Sequence, residues 1–420
     1  MSGTLAELLG QCLRAAGVQQ VFGRPVPGVR SHPVADASLA RALADADGRM
    51  GPGVGCALLD DGTLHLSCRP GAAPEPMPLT DPTLLPEVVA RGADWAIGVG
   101  GPDAAAFVLE LDLDAPAPAG AAPVAPPPLP AGELPDLRDV EGSILVFAGP
   151  GVVRRSAVEA LRRLAAVANV GVSNTWGAKG VFPWDSPHHL GTVGLQARDY
   201  ELGGFVGVGL IVGVGIDEDE SPWARWALSP SVQIGPHMLD ALADAWPKPP
   251  QREIPLPPLF SSLSAVCMPS YEAPQVPLHP GRAIIETKHA LGPGDRVAAD
   301  PGGALGMWVA RAFPTSELGS VVVPATVAPD FAATAAVACA SRPEPQRVIA
   351  ITHEPESAVV EWGRSRGVEP VIVVWGDEGD VTRPEDVAPA IARGGVVRVP
   401  VDLSRTEELI AVAGEIVAWT

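Results

Sequence analysis

Lysine is almost missing from this chain: Lys179, Lys248 and Lys288 are the only three in 420 residues. With basic residues this scarce, the formal net charge is −20. A surface of that sign argues against nucleic acid or an anionic membrane as partner, because both are bound through basic patches. Long apolar runs are missing too, and none approaches the roughly 20 residues of a membrane span. Leu5 to Val18 is no secretory signal, since Glu7, Gln11 and Arg14 interrupt it at helical spacing and it lacks a basic start and a small-residue cleavage site. The five cysteines (Cys12, Cys56, Cys68, Cys267 and Cys339) are odd in number, scattered and without metal-ligand spacing. They read as reduced core thiols in a cytoplasmic protein. No nucleophile elbow, P-loop or zinc-ligand spacing is found, and no repeat of short period.

What the chain has in quantity is alanine, valine and proline. Hydrophobic residues make up 47% of it, enough for large cores, and the Ala/Val content suits tightly packed parallel sheets. The length predicts two or three α/β domains rather than one. Two proline-rich joints divide it. The first, APAPAGAAPVAPPPLPAGELP over residues 115–135, reads as an extended linker. The second, over residues 247–280, is richer in large apolar side chains and is expected to wrap over the surface. The resulting blocks are residues 1–114, 136–246 and 281–420.

Each block alternates strand-like and helix-like segments. In the first, Thr4 reads as the N-cap of a helix ending before Gly17, followed by the strand VQQVFG. Leu39 to Ala46 reads as helix, and Val54 to Leu59 and Thr63 to Ser67 as strands about the turn Asp60-Asp61-Gly62. Asp81 opens the next helix and Ala106 to Leu113 closes the block as a strand. The middle block opens SILVFAGPGVVRRSAVEALRRLAAVANVGV, an apolar run, a Gly-Pro-Gly turn, an amphipathic helix and a second apolar run. That is a βαβ unit. An irregular loop, SNTWGAKGVFPWDSPHHLG, leads to another buried strand within FVGVGLIVGVGID. In the third block strands are expected at Arg296–Ala299, Arg347–Thr352, Val371–Trp375 and Gly395–Val399, and helices at Phe331–Ala340 and Thr406–Ala418. The fold class is therefore α/β, with three parallel-sheet domains and helices on both faces.

The order of these segments resembles the thiamine diphosphate enzymes of the acetolactate synthase and 2-oxo acid decarboxylase type. LAELLGQCLRAAGVQQVFGRP is similar to that family's opening helix and strand, LARALADADGR to its Met-Ala-Asp-Gly-Tyr-Ala-Arg helix, and TLHLSCRPG to its strand ending Ser-Gly-Pro-Gly. NTWGAKGVFPWDSPHHLGTVG is the closest match, and VAADPGGALGMW followed by FAATAAVACASRPEPQRVIAI is similar to the start of the pyrophosphate-binding domain. The resemblance implies a pyrimidine-binding-like first domain, a central domain and a pyrophosphate-binding-like third. It also implies that residues 72–78 are a truncation, where the family has a further helix and strand.

Carried over position by position, the resemblance sets the expected chemistry. The glutamate that turns the cofactor into its ylide falls on Ala37, which cannot transfer a proton. Asp36 is adjacent, but neighbours on a helix point about 100° apart, and an N-cap role is the favoured reading. Cofactor contacts are expected from Asp300, Gly302, Gly303 and His353. The magnesium-binding Gly-Asp-Gly turn falls on His353-Glu354-Pro355, with Asp377 where a further metal ligand is expected. Glu354 and Asp377 are thus the candidate metal ligands, against a solvated acidic loop as the plainer reading.

Smaller signals carry less. Gly149-Pro150-Gly151 lacks the third glycine of a dinucleotide fingerprint and reads as a tight strand–helix turn, although Arg154 and Arg155 would suit a phosphate. His188-His189 reads as loop packing, since adjacent histidines diverge. The expected function is a thiamine-enzyme fold with degenerate cofactor motifs. It is read as non-catalytic or repurposed, needing no cofactor and acting as a structural, regulatory or small-ligand-binding subunit. The alternative is an active lyase or carboligase using thiamine diphosphate and Mg²⁺ on 2-oxo acids. Either form is expected as a homodimer or as a hetero-oligomer with a full-length relative.

Overall fold

The computed structural model describes all residues except 1–3, 52, 70, 72, 73, 99–105, 126–128, 130, 131, 248, 250–252, 317–320, 329 and 420. Parts of both proline-rich joints, Lys248 and two residues of the shortened link after Gly71 thus lie outside the described residues. The chain forms two compact units. One is Met1–Pro130 with Ala333–Arg347 and Glu356–Val368; the other is Ala131–Ala332 with Val348–Pro355 and Glu369–Thr420.

The first unit is built on a six-stranded sheet in the order β2-β1-β3-β4-β6-β5. Its strands are β1 (Gln20–Gly23), β2 (Arg30–His32), β3 (Gly55–Leu58), β4 (Thr63–Ser67), β5 (Met77–Pro78) and β6 (Ala106–Glu110). Helices α1 (Leu5–Ala15), α2 (Ala37–Met50) and α3 (Leu85–Ile97) accompany it. Thr4 closes a capping box on α1: its hydroxyl accepts from the Glu7 amide at 3.3 Å, and the Glu7 carboxylate accepts from the Thr4 amide at 3.0 Å. This sheet departs from the expected all-parallel pattern, because β3/β4 and β4/β6 pair antiparallel. The tight Asp60-Asp61-Gly62 turn is the reason: a link this short joins only antiparallel neighbours, whereas a parallel pair needs a long crossover.

The second unit carries two all-parallel five-stranded sheets. One has the order β11-β10-β7-β8-β9, from β7 (Ile144–Ala148), β8 (Gly171–Thr175), β9 (His189–Val193), β10 (Leu210–Val214) and β11 (Ser231–Ile234). The other has the order β13-β12-β14-β15-β16, from β12 (Arg296–Ala299), β13 (Val321–Val322), β14 (Val348–Thr352), β15 (Val371–Gly376) and β16 (Val396–Pro400). Three mostly parallel sheets with interleaved helices make this an α/β protein. In the middle block α4 (Gly151–Arg154), α5 (Val158–Ala168), α6 (Asp199–Leu202), α7 (Trp223–Trp226) and α8 (Leu239–Asp244) flank the sheet. One sheet face packs Val146 and Val212 on Leu161 and Leu164; the other sets Phe147 edge-on against Tyr200, Phe205 and Trp226.

The second joint holds more structure than its prolines suggest, because α9 (Pro258–Ser270) runs through it. Two of its prolines sit where a helix tolerates them. Pro257 is the N-cap and Pro258 the first residue, where no intrahelical N–H bond is lost, whereas Pro269 in the last turn gives one up. The third block adds α10 (Pro280–His289), α11 (Gly303–Ala312), α12 (Phe331–Ala340), α13 (Ala358–Ser365), α14 (Val387–Arg393) and α15 (Thr406–Ala413). Among the described residues no helix is long and apolar enough to cross a membrane.

Candidate functional site

In the first unit, the residues at the ylide position stand at the start of α2. Ala37 is its first residue and is exposed. Asp36 is the N-cap, its carboxylate accepting from the Leu39 amide at 2.9 Å. The buried carboxylates of α2 lie further along and are all engaged. Asp45 meets His65 Nε2 at 2.7 Å. Asp47 accepts from Gln20 at 2.9 Å and from Arg342 Nε at 2.8 Å. Burial pushes the Asp47 carboxyl up, opposed by the guanidinium beside it.

In the second unit, the expected cofactor residues gather at the carboxyl ends of β12 and β14, where ligands of open α/β sheets usually sit. Asp300 follows β12, its amide donating to Ile351 O at 3.1 Å and its carboxylate accepting from the Ala332 amide at 2.8 Å. Gly302 and Gly303 then turn the chain into α11 at φ +90° and +58°, with open space where a Cβ would stand. His353 Nδ1 donates to Trp375 O at 2.9 Å, tying the ends of β14 and β15 together. Glu354 is exposed, its amide donating to Thr352 Oγ1 at 3.0 Å, and Asp377 is exposed after β15. Burial raises the Asp300 carboxyl, opposed by its bonds from Ala332 and Thr352. Burial also raises Asp330, and the nearby Glu354 charge adds to it. Asp300, Asp330 and Glu354 therefore share a neighbourhood, yet among the described residues no three His, Cys, Asp or Glu side chains converge on a metal position.

The Gly149-Pro150-Gly151 turn is as tight as expected: a Cβ on Gly149 would stand 2.3 Å from Gly215 O. Arg154 is buried and committed to Asp217, with two contacts at 2.7 Å, which removes it as a phosphate ligand.

A different site emerges elsewhere in this unit, at residues that motif reasoning passed over. A cavity of about 470 Å³ opens among β9, α9, α10 and the end of α11. That volume falls within the roughly 300–1,000 Å³ of small-molecule pockets. Leu190, Leu259, Phe260, Leu263, Met268 and Phe313 supply apolar wall. Into it face two buried nitrogen bases, Lys179 at 9% and His189 at 8% exposure. Lys179 Nζ has one hydrogen bond, to Arg311 O at 3.3 Å. Burial, with the Arg311 charge adding, pulls its ammonium from the ordinary 10.5 down to about 7. His189 Nδ1 is sealed without a partner, and the ring stands edge-on to Phe260 at 6.3 Å. Burial and then the Lys179 charge bring this imidazole from 6.5 down to about 4. The Cys267 thiol on the same wall is pushed up to about 11 by burial.

Arg311 is committed through both terminal nitrogens, although its buried Nε has no partner. It meets both Asp199 carboxylate oxygens at 2.7 Å, Thr192 O at 2.5 Å and Gln196 Oε1 at 3.1 Å, and Asp199 also takes the Leu195 and Gln196 amides. This buried pair fixes the floor of the cavity, and among the described residues Lys179 has no counter-ion. His188 packs in the loop as expected, its Nδ1 donating to Val170 O at 3.0 Å, whereas His189 stands on β9, packs against Phe260 and lines the cavity. His189 begins β9, and alternation along a strand sends its side chain to the other side. The available signal was composition: two of the chain's three lysines, Lys179 and Lys288, line this one cavity.

No curated protein matches the chain. Residues 141–237, less than a quarter of its 420 residues, match the family model described as thiamine pyrophosphate enzyme, central domain. The middle sheet, with the strand order and Gly-Pro-Gly turn described above, lies within that matched stretch.

Proposed function

We propose that this chain keeps the thiamine-enzyme fold but has lost the thiamine chemistry, and now serves as a small-ligand-binding subunit. The observation that carries the reading is the start of α2. Alanine stands at the ylide-forming position, and the one neighbouring acid, Asp36, is occupied in capping the helix. Proton transfer to the aminopyrimidine needs a carboxyl group positioned for it, and the Asp36 carboxylate is turned to its own helix, with Oδ1 accepting from the Leu39 amide.

The residues at the ends of β12 and β14 do not fit a magnesium-bridged diphosphate either. Gly302 and Gly303 keep an open approach to the N-terminus of α11, which would favour an anion. Beyond them, however, stand Asp300, Asp330 and Glu354, two with raised carboxyl groups. Pro355 removes an amide donor from the turn. Asp377 and Glu354 belong to no converging set of ligands among the described residues. Diphosphate brought here without a metal would meet like charge.

Calorimetric titration with thiamine diphosphate and Mg²⁺ tests the reading. The expected result is no heat of binding at millimolar cofactor; micromolar, metal-dependent binding would overturn it. We further propose assembly as a homodimer or with a full-length relative, checked by molar mass in solution and by co-purification from the native cell.

A further inference from the structure

The cavity under α9 has a chemistry that narrows what it takes. Its interior bases are Lys179 and His189, both more than nine-tenths buried, and the carboxylates nearest them are already paired. Asp199 belongs to Arg311. Glu286 is held by Arg282 at 2.7 Å and faces His289 at 3.6 Å. Glu272 is exposed at the rim, where half-buried Lys288 and exposed His289 also stand. In a protein of net charge −20, the interior of this pocket is short of negative charge. A buried amine with a single long hydrogen bond and a buried imidazole with none are costly in an empty pocket, and such groups call for a partner.

Resting on the ligand-binding reading above, we propose that this cavity binds an apolar monocarboxylate. Its two oxygens take Lys179 Nζ and the His189 Nε2–H as donors, the sealed Nδ1 staying out of reach, and its tail lies against Leu190, Leu259, Phe260 and Leu263. An alcohol or alkane of the same length would fill the apolar wall but leave both nitrogens unsatisfied. A dicarboxylate or a phosphate ester would carry a second charge into a largely apolar pocket. One carboxylate and one tail match the pair of interior bases and the character of the wall. The carboxylate would also restore the proton on Lys179, so binding near pH 8 takes up a proton from buffer. The other groups on that face are the paired Arg282–Glu286, the rim residues Glu272, Lys288 and His289, and the Cys267 thiol, which stays protonated at this pH.

Decanoate and decan-1-ol, titrated by calorimetry into the full-length protein, test this. Decanoate is expected to bind saturably at micromolar concentration, at least tenfold tighter than decan-1-ol, with net proton uptake when buffers of different ionisation enthalpy are compared. Lys179→Met is expected to weaken decanoate about ten- to hundredfold while leaving decan-1-ol unchanged, the effect of losing a charged hydrogen bond. Leu263→Trp, which fills the tail region, should weaken both. Equal affinity for acid and alcohol, or no saturable decanoate binding at millimolar concentration, would overturn the proposal. Should Lys179→Met fail to fold, the acid–alcohol ratio and the proton uptake of the unmodified protein still decide. Neither outcome touches the thiamine diphosphate titration, so the two readings fail separately.

Discussion

The second unit contains two places with room for a ligand, and they differ in almost every physical respect. The carboxyl ends of β12 and β14 keep a backbone suited to phosphate, two glycines in open space before a helix, but surround it with carboxylates and lose an amide to Pro355. The cavity under α9 follows no phosphate motif, yet encloses two buried bases with unused hydrogen-bonding capacity. The first site combines a backbone shaped for phosphate with the wrong charges for it. The second has charges that a ligand alone would satisfy. Backbone geometry outlasts chemistry, because glycine turns serve the fold as well as the cofactor.

Stability measurements should separate the two places sharply. The largest effect is expected from Arg311→Met, which strands the buried Asp199 carboxylate beneath the cavity. Urea unfolding should show a loss of about 3–5 kcal/mol. Lys179→Met should act in the opposite direction, stabilising the ligand-free protein at pH 7 by on the order of 3 kcal/mol. Folded Lys179 titrates at about 7 against an ordinary 10.5, so between those values the unfolded chain binds the extra proton. Stability therefore falls as pH drops from about 10.5 towards 7 and is insensitive to this group above 10.5. The advantage of Lys179→Met should shrink accordingly as the unfolding series moves up to pH 10. His189 behaves alike at lower pH: the unmodified protein should lose stability from pH 6.5 down towards 4, and His189→Leu should lose less.

Smaller effects belong to the residues singled out by the resemblance in sequence. Asp36→Ala should cost about 1 kcal/mol, the value of an N-cap, in thermal unfolding. Glu354→Gln, exposed at the end of β14, should change stability by less than about 0.5 kcal/mol. A large loss there would mean that the acidic cluster holds structure.

Much of the fold was legible in the sequence because it rests on local pattern. Thr63–Ser67, Arg296–Ala299 and Phe331–Ala340 have the bounds expected, since apolar runs and their flanking polar residues mark strands and helices directly. The antiparallel turn of the first sheet was visible as Asp-Asp-Gly but was outweighed by the alternation around it. Helix α9 was hidden because proline content says nothing about position, and prolines at a helix's start do not break it. At the sites, the glycine and acidic positions could be read from resemblance. The isolation of Lys179 could not, because it depends on Asp199 having been taken by Arg311 across 112 residues of sequence. Only the rarity of lysine hinted at it.

Hydrogen exchange on the full-length protein, with decanoate in one arm and thiamine diphosphate plus Mg²⁺ in the other, tests the central contrast most directly. The account predicts that decanoate protects peptides covering residues 176–193 and 258–272, and that the cofactor leaves residues 296–306 and 348–356 unchanged. Protection of those strand-end peptides by the cofactor, with none under α9 from decanoate, would contradict it.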